Sequence, residues 1–155
     1  IYLKVNSMNK ATLQKIFGTN AGFGALALRV PVGIIFAAHG AQKLFGWFGG
    51  YGLEGTGGWM ESIGLAPGVL MAFLAGAAEF FGGLALVFGV LTRPAAVTLI
   101  IAMLVAIFKV HFANGFFMST NGYEFALALL AASVSLLLSG AGKASIDAII
   151  AKKLN

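Results

Sequence analysis

The feature that most constrains this chain is the recurrence of long apolar stretches. Residues 21–45, 67–91, 94–112 and 123–139 carry only one or two charged residues each. Each approaches the ~20 apolar residues that a helix needs to cross a bilayer core of about 30 Å. In hydrocarbon every backbone N–H and C=O must find its partner inside the protein, and a single apolar segment of this length does so as a helix. The breaks between the stretches carry turn chemistry: a Gly- and aromatic-rich loop over 46–66, the turn Leu91-Thr92-Arg93-Pro94, and a polar connection over 114–122. The pattern predicts an all-α membrane protein, a bundle of four transmembrane helices.

Composition closes off the competing classes. The chain is 59% hydrophobic and 10% charged, against about 25% charged residues in a typical soluble domain. With no cysteine, it has no disulfide framework, no thiolate metal site and no thiol redox centre. The net charge of +5 is dispersed beside apolar segments, as juxtamembrane lysines are, so no nucleic-acid partner is expected. The first apolar stretch is too long for the ~7–15-residue core of a cleavable signal and reads as a retained span.

Lys and Arg in short loops mark the cytoplasmic side. Lys4, Lys10 and Lys15 precede the first span, Arg93 lies between the second and third, and Lys143, Lys152 and Lys153 follow the fourth. All fall on one side, which predicts both termini in the cytoplasm and a multi-pass protein of the cell inner membrane. Three short segments are expected on the membrane surface. Residues 1–20 form an N-terminal interfacial segment with Leu13, Ile16 and Phe17 at helical spacing. Residues 140–155 form an amphipathic cytoplasmic tail, with Ile146, Ile149 and Ile150 following an N-cap at Ser145. A third short helix is expected over 59–65 in the outer loop. Residues 21–139 make up the transmembrane domain.

Helices in lipid associate through close backbone approach, which favours small residues spaced about four apart. Gly33, Ala37 and Ala41 form such a ridge on the first span, Ala75, Ala78, Gly82 and Gly83 one on the second, and Ala126, Ala128, Ala131 and Ala132 enrich the fourth. Ionisable residues inside the bilayer each cost at least about 2.5–3.5 kcal/mol on insertion scales and so need a partner or a task. From their positions along the spans, Arg29 and Glu79 are predicted to lie at matching depth as an intramembrane ion pair.

A second polar group gathers toward the outer leaflet. His39, Gln42 and Lys43 end the first span, Lys109 and His111 end the third, and Tyr123 and Glu124 begin the fourth. His39 and Lys43, four residues apart, share a helix face. Such a mouth can hydrogen-bond the carbonyl oxygens of a quinone head group while its tail lies along an apolar wall. The two histidines also admit a bis-imidazole haem as the lesser cofactor reading. A protein-bound metal site is not expected, since no third soft ligand lies nearby.

Several of these residues together resemble a known family. The set is Leu28-Arg29 through Gly33, His39-Gly40-Ala41-Gln42-Lys43-Leu44, Ala78-Glu79-Phe80-Phe81-Gly82-Gly83, Gly89-Val90-Leu91-Thr92-Arg93 and Gly122-Tyr123-Glu124. In order and spacing it is similar to the DoxX family over residues 25–147. The resemblance implies a four-helix protein of the prokaryotic cytoplasmic membrane with a redox-linked role. Relatives include subunits of a thiosulfate:quinone oxidoreductase and members of a membrane complex with a superoxide dismutase and a sulfurtransferase. The matching positions are Arg29, His39, Lys43, Glu79, Arg93 and Glu124. The expected function is a membrane subunit of a redox or oxidative/sulfur-stress system that binds quinone or a similar lipid-soluble carrier at the outer mouth. Its partners would be the lipid bilayer and either a redox protein or further copies of itself. Two other readings are a scaffold that recruits a partner protein through its small-residue faces, and a small oligomeric transporter built around Arg29 and Glu79.

Overall fold

The computed structural model describes residues 2–154, with side chains from residue 9 onward; the Lys4 side chain lies outside the described residues. Seven α-helices follow in order: α1 (Tyr2–Phe17), α2 (Gly24–Phe45), α3 (Gly52–Ser62), α4 (Gly68–Phe88), α5 (Thr92–Val105), α6 (Glu124–Ser139) and α7 (Ile146–Leu154). There is no strand among the described residues. Helix α5 runs on through a π-helical segment, Ala106–His111, and a short 3-10 turn, Phe112–Asn114. Three helical stretches are long and apolar enough to cross a membrane: α2, α4 and the continuous run Thr92–Asn114. Helix α6 is equally apolar in character but has 16 residues.

Local chemistry explains where these helices stop. Helix α4 ends in a Schellman motif: Gly89 turns left-handed at φ 63°, its N–H bonds the Leu86 carbonyl at 3.2 Å, and Val90 N–H reaches back to Ala85 at 3.0 Å. The expected N-cap at Ser145 is present, its hydroxyl accepting the Ala148 N–H at 3.1 Å. The outer-loop helix differs from expectation. It occupies Gly52–Ser62 rather than 59–65, and left-handed Gly64 ends it before Pro67. Its four glycines, three of them internal, argue against a helix on propensity alone. Packing overrides propensity here, because α3 lies on the start of α4 with Gly57 against Val69, and the Glu61 carboxylate accepts the Gly68 N–H at 2.5 Å.

Helices α2 and α4 form the tightest pair. A methyl added to Gly33 would lie 2.6 Å from the Gly83 carbonyl oxygen, and one added to Gly40 would lie 2.7 Å from the Gly76 carbonyl oxygen. Two glycines per helix, each seven residues apart, thus lock an antiparallel register at backbone contact. Helices α5 and α6 make the second pair, and α5 also packs on α4. Phe36, Leu86, Leu99 and Leu136, each almost fully buried, fill the space between them.

That register corrects the predicted ion pair. With Gly33 opposite Gly83, Arg29 falls beside the end of α4, while Glu79 faces the Gly40–Lys43 turn of α2 about 16 Å further along the axis. Arg29 therefore bonds carbonyls: Leu86 at 3.0 Å and Val87 on α4, Ala141 at 3.0 Å and Ala144 at 2.6 Å on the approach to α7. Glu79 pairs with Lys43 instead, at 2.6 Å. Reckoning depth from the ends of the apolar stretches misplaced both residues, since only the contact between helices sets their relative height.

The end of the bundle around Arg29 is heavily cross-tied. Arg93, at the start of α5, donates to the carbonyls of Gly18, Leu137 and Leu138. Asp147 of α7, 1% exposed, accepts the N–H groups of Leu91 at 2.7 Å and Thr92 at 2.9 Å. This carboxylate caps a helix whose first residues lie 55 and more positions earlier in the chain. Helix α1 packs against α7 at the same end, where Lys143 also lies 5.7 Å from the Phe23 ring centre.

Candidate functional site

At the opposite end the bundle encloses a cavity of about 480 Å³. Its walls come from α2, α3, α4, the second half of α5 with its π segment, the following loop, and α6. The lining is mostly apolar, including Phe36, Met60, Ala102, Met103, Phe125 and Leu129. Four ionisable side chains interrupt it: His39, Lys43, Glu79 and His111. The volume and character suit a small ligand site, which is typically an apolar hollow of about 300–1,000 Å³ with a few oriented polar groups.

Each polar residue has an identifiable support. Lys43 Nζ donates to Glu79 Oε2 at 2.6 Å and to the His39 carbonyl at 3.5 Å. The pair is net neutral, with Glu79 almost buried at 7% side-chain exposure and Lys43 at 23%. His39 stands one turn before Lys43 on the same face, its ring 6.2 Å from that of Phe125 on α6. His111 arrives from across the cavity, its Nδ1 2.9 Å from the Asn121 carbonyl. That contact fixes a proton on Nδ1 and leaves Nε2 as an acceptor when the ring is neutral.

The π segment accounts for His111 reaching the cavity. In an α-helix, residues five apart point to different sides, whereas i→i+5 hydrogen bonding widens the turn and brings them much closer to one side. Ala106, Val110 and His111 all line the cavity. An uninterrupted α-helix would turn His111 well away from the face that holds Ala106.

The structure separates the predicted mouth residues into two groups. His39, Lys43 and His111 share the cavity. Gln42 lines a neighbouring hollow of about 580 Å³ with Lys43, Tyr51, Thr56 and Trp59, and its side chain donates to the Phe48 carbonyl at 3.3 Å. Lys109 is exposed and stands outside the cavity lining. Glu124 also lies outside it, accepting the Met118 N–H at 2.6 Å and so bracing the loop before α6. Sequence reasoning assigned Glu79 to another partner and missed Trp59 and Met60, which α3 lays against the cavity. An aromatic-rich loop between two spans was the available signal, but belt anchoring accounts for it equally well.

Comparison with known proteins now bears on the same residues. The family model described as DoxX matches residues 24–112. The chain belongs to the DoxX family. The matched span includes all four ionisable residues of the cavity, together with α2, α3 and α4 entire. Among similar proteins, "Putative oxidoreductase CatD" of Bacillus subtilis (strain 168) is 35% identical over 129 residues, 83% of this chain and 88% of that protein. "Inner membrane protein YqjF" of Escherichia coli (strain K12) is 35% identical over 137 residues, 84% and 94% of the two chains. An uncharacterized protein of Haemophilus influenzae (strain ATCC 51907 / DSM 11121 / KW20 / Rd) is 31% identical over 140 residues, 89% and 90%. No solved structure matches. With its long apolar helices and this family, the protein is a multi-pass DoxX membrane protein.

Proposed function

We propose that this DoxX protein binds a quinone, or a similar lipid-soluble electron carrier, in the cavity between α2, α4, α5 and α6, as the membrane subunit of a redox system. The observation that carries this reading is the placement of His39, the Lys43–Glu79 pair and His111 on one otherwise apolar cavity of about 480 Å³. A quinone head group presents two carbonyl oxygens on a flat apolar ring. The cavity offers the Lys43 ammonium and the His39 imidazole as donors to such oxygens and Phe and Met walls to pack the ring, with the His111 Nε2 as an acceptor for the hydroxyl of the reduced form. CatD carries an oxidoreductase name and YqjF an inner-membrane one. Both agree with this reading for a chain that shares their length and family.

The chain has no cysteine, so electrons would come from a partner protein rather than from a thiol of its own. The cross-tied end, with Lys10, Lys15, Arg93, Lys143, Lys152 and Lys153, is the cytoplasmic end in this reading, and the cavity then opens toward the outer leaflet. Helix α6, about 24 Å long at 1.5 Å per residue, serves as the fourth span, with α1 and α7 on the cytoplasmic surface.

The test is extraction and mass analysis of protein purified in mild detergent, followed by titration with quinone. Co-purified quinone and saturable binding that weakens about tenfold in His39→Ala are expected, since a lost charge-assisted or imidazole hydrogen bond is worth about 1.5 kcal/mol. Absence of both in wild-type protein removes the reading.

A further inference from the structure

The cavity is bounded very differently along the seam between α4 and α5. Near the turn that joins them the seam is shut: a methyl on Gly82 would lie 3.1 Å from Leu99 Cγ and Cδ2, so leucine packs directly on backbone. Toward the other end, α4 offers Ala75 and α5 offers Ala102 and Ala106, and these alanines line the cavity instead of filling it. A one-carbon side chain cannot bridge the gap that Leu99 closes nearer the turn.

Val105 shows where this gap leads. It stands in an exposed stripe with Val97, Ile101, Leu104 and Phe108, from 39% to 65% exposed, which is the lipid-facing side of a membrane-spanning α5. The same Val105, itself 43% exposed, also lines the cavity. The cavity wall and this exposed stripe of α5 therefore meet at Val105. The nearby lining residues Leu65, Ala75, Ala102 and Ala106 present no polar side-chain atom, in contrast to the His39 and Asn121 side of the same cavity.

We propose that the α4–α5 seam is a lateral portal through which the apolar tail of the bound carrier passes into the bilayer, and that Ala75, Ala102 and Ala106 determine which tails fit. The proposal rests on the quinone reading above and adds a ligand class to it: an amphiphile with a planar hydrogen-bonding head and a slender hydrocarbon chain. Larger side chains in the seam would close the portal while leaving the polar end of the cavity intact.

The experiment uses the full chain in lipid nanodiscs, in a Trp47→Phe background, with quenching of Trp59 on the cavity wall as the signal. The probes are dimethoxymethylbenzoquinone with and without a decyl chain, each titrated against its free aqueous concentration, so that passage of the tail from water into the bilayer counts toward binding. Wild-type protein is expected to favour the decyl form by about tenfold or more, as burial of a few methylenes provides. Ala102→Phe and Ala106→Phe should each abolish that preference, the decyl form losing about tenfold more than the tail-less form, and residual saturable binding of the tail-less form shows that the variants are folded. Equal loss of both probes, or an unchanged preference, overturns the portal. Should the phenylalanine variants not fold, a decyl quinone ending in a diazirine is photolysed on wild-type protein. Label in 65–75 and 101–108 supports the portal, and label confined to 125–129 overturns it. Wild-type binding of both probes with no preference for the tail removes the portal and keeps the quinone site. Binding of neither removes both.

Discussion

The two ends of this bundle use buried charge in opposite ways. At the α1–α7 end, Arg29 spreads its guanidinium over four backbone carbonyls and Asp147 takes two N–H groups. These side chains satisfy helix ends and turns that would otherwise be orphaned in a low-dielectric setting, and they line neither of the two hollows described above. At the other end, Lys43 and Glu79 satisfy each other once, and with His39 and His111 they line an open volume. Both ends hold intramembrane ionisable groups, so charge in a span does not by itself indicate function. What separates them is whether the hydrogen-bonding capacity is used up inside the chain.

The contrast is most directly broken at Arg29. Arg29→Met removes the shared donor from four carbonyls, and a loss of about 3–5 kcal/mol is expected, since each buried group left unsatisfied costs about 1–3 kcal/mol and the losses are not additive. Reversible denaturation in mixed micelles reads this, and a loss under about 1 kcal/mol would make the clamp ornamental. Asp147→Ala should come next, at about 2–3 kcal/mol, because it uncaps α5 and strands the Leu91 and Thr92 N–H groups. Asp147→Asn, which keeps one acceptor, should recover part of that.

Gly40→Val tests the α2–α4 register that places Lys43 beside Glu79. Overpacking at backbone contact should lower stability by about 1–3 kcal/mol, and a shifted helix pair should weaken ligand binding as well. Substitutions at the cavity should show the reverse balance. His39→Ala is expected to change stability by under about 1 kcal/mol, as polar groups between membrane helices average about 0.6 kcal/mol, and to act chiefly on quinone titration. The smallest effect belongs to Glu124→Gln. Its carboxylate braces Met118 outside the cavity, so binding should stay at the wild-type value. A loss equal to that of His39→Ala would return Glu124 to the site.

Much of the architecture was legible from the sequence. Apolar runs bounded by Gly89, Pro67 and Pro94 announce long helices, because lipid leaves a backbone no other way to satisfy itself. Gly33, Ala37 and Gly83 likewise announce close packing. The α3 helix was misplaced because its glycines oppose helix formation locally, and only the contact with Val69 and Gly68 stabilises it.

The site was legible in part, and for a physical reason. Residue type and spacing put His39 and Lys43 on one face and flagged His111, since helical periodicity within one segment is a local property. The partner of each charge is not local. It depends on how two distant helices are offset, and that offset was fixed by two glycine contacts whose effect hydropathy cannot express. A change of hydrogen-bond pattern from α to π in Ala106–His111 then turned one histidine toward the cavity without altering the apolar character of the segment. The sequence by itself determined that the chain would be helices in a membrane, where they would break, and which family it belongs to. Tertiary packing alone decided that Arg29 ties down the chain while Glu79 joins Lys43 at the cavity, because interhelical register is set by side-chain shape at contacts far apart in sequence.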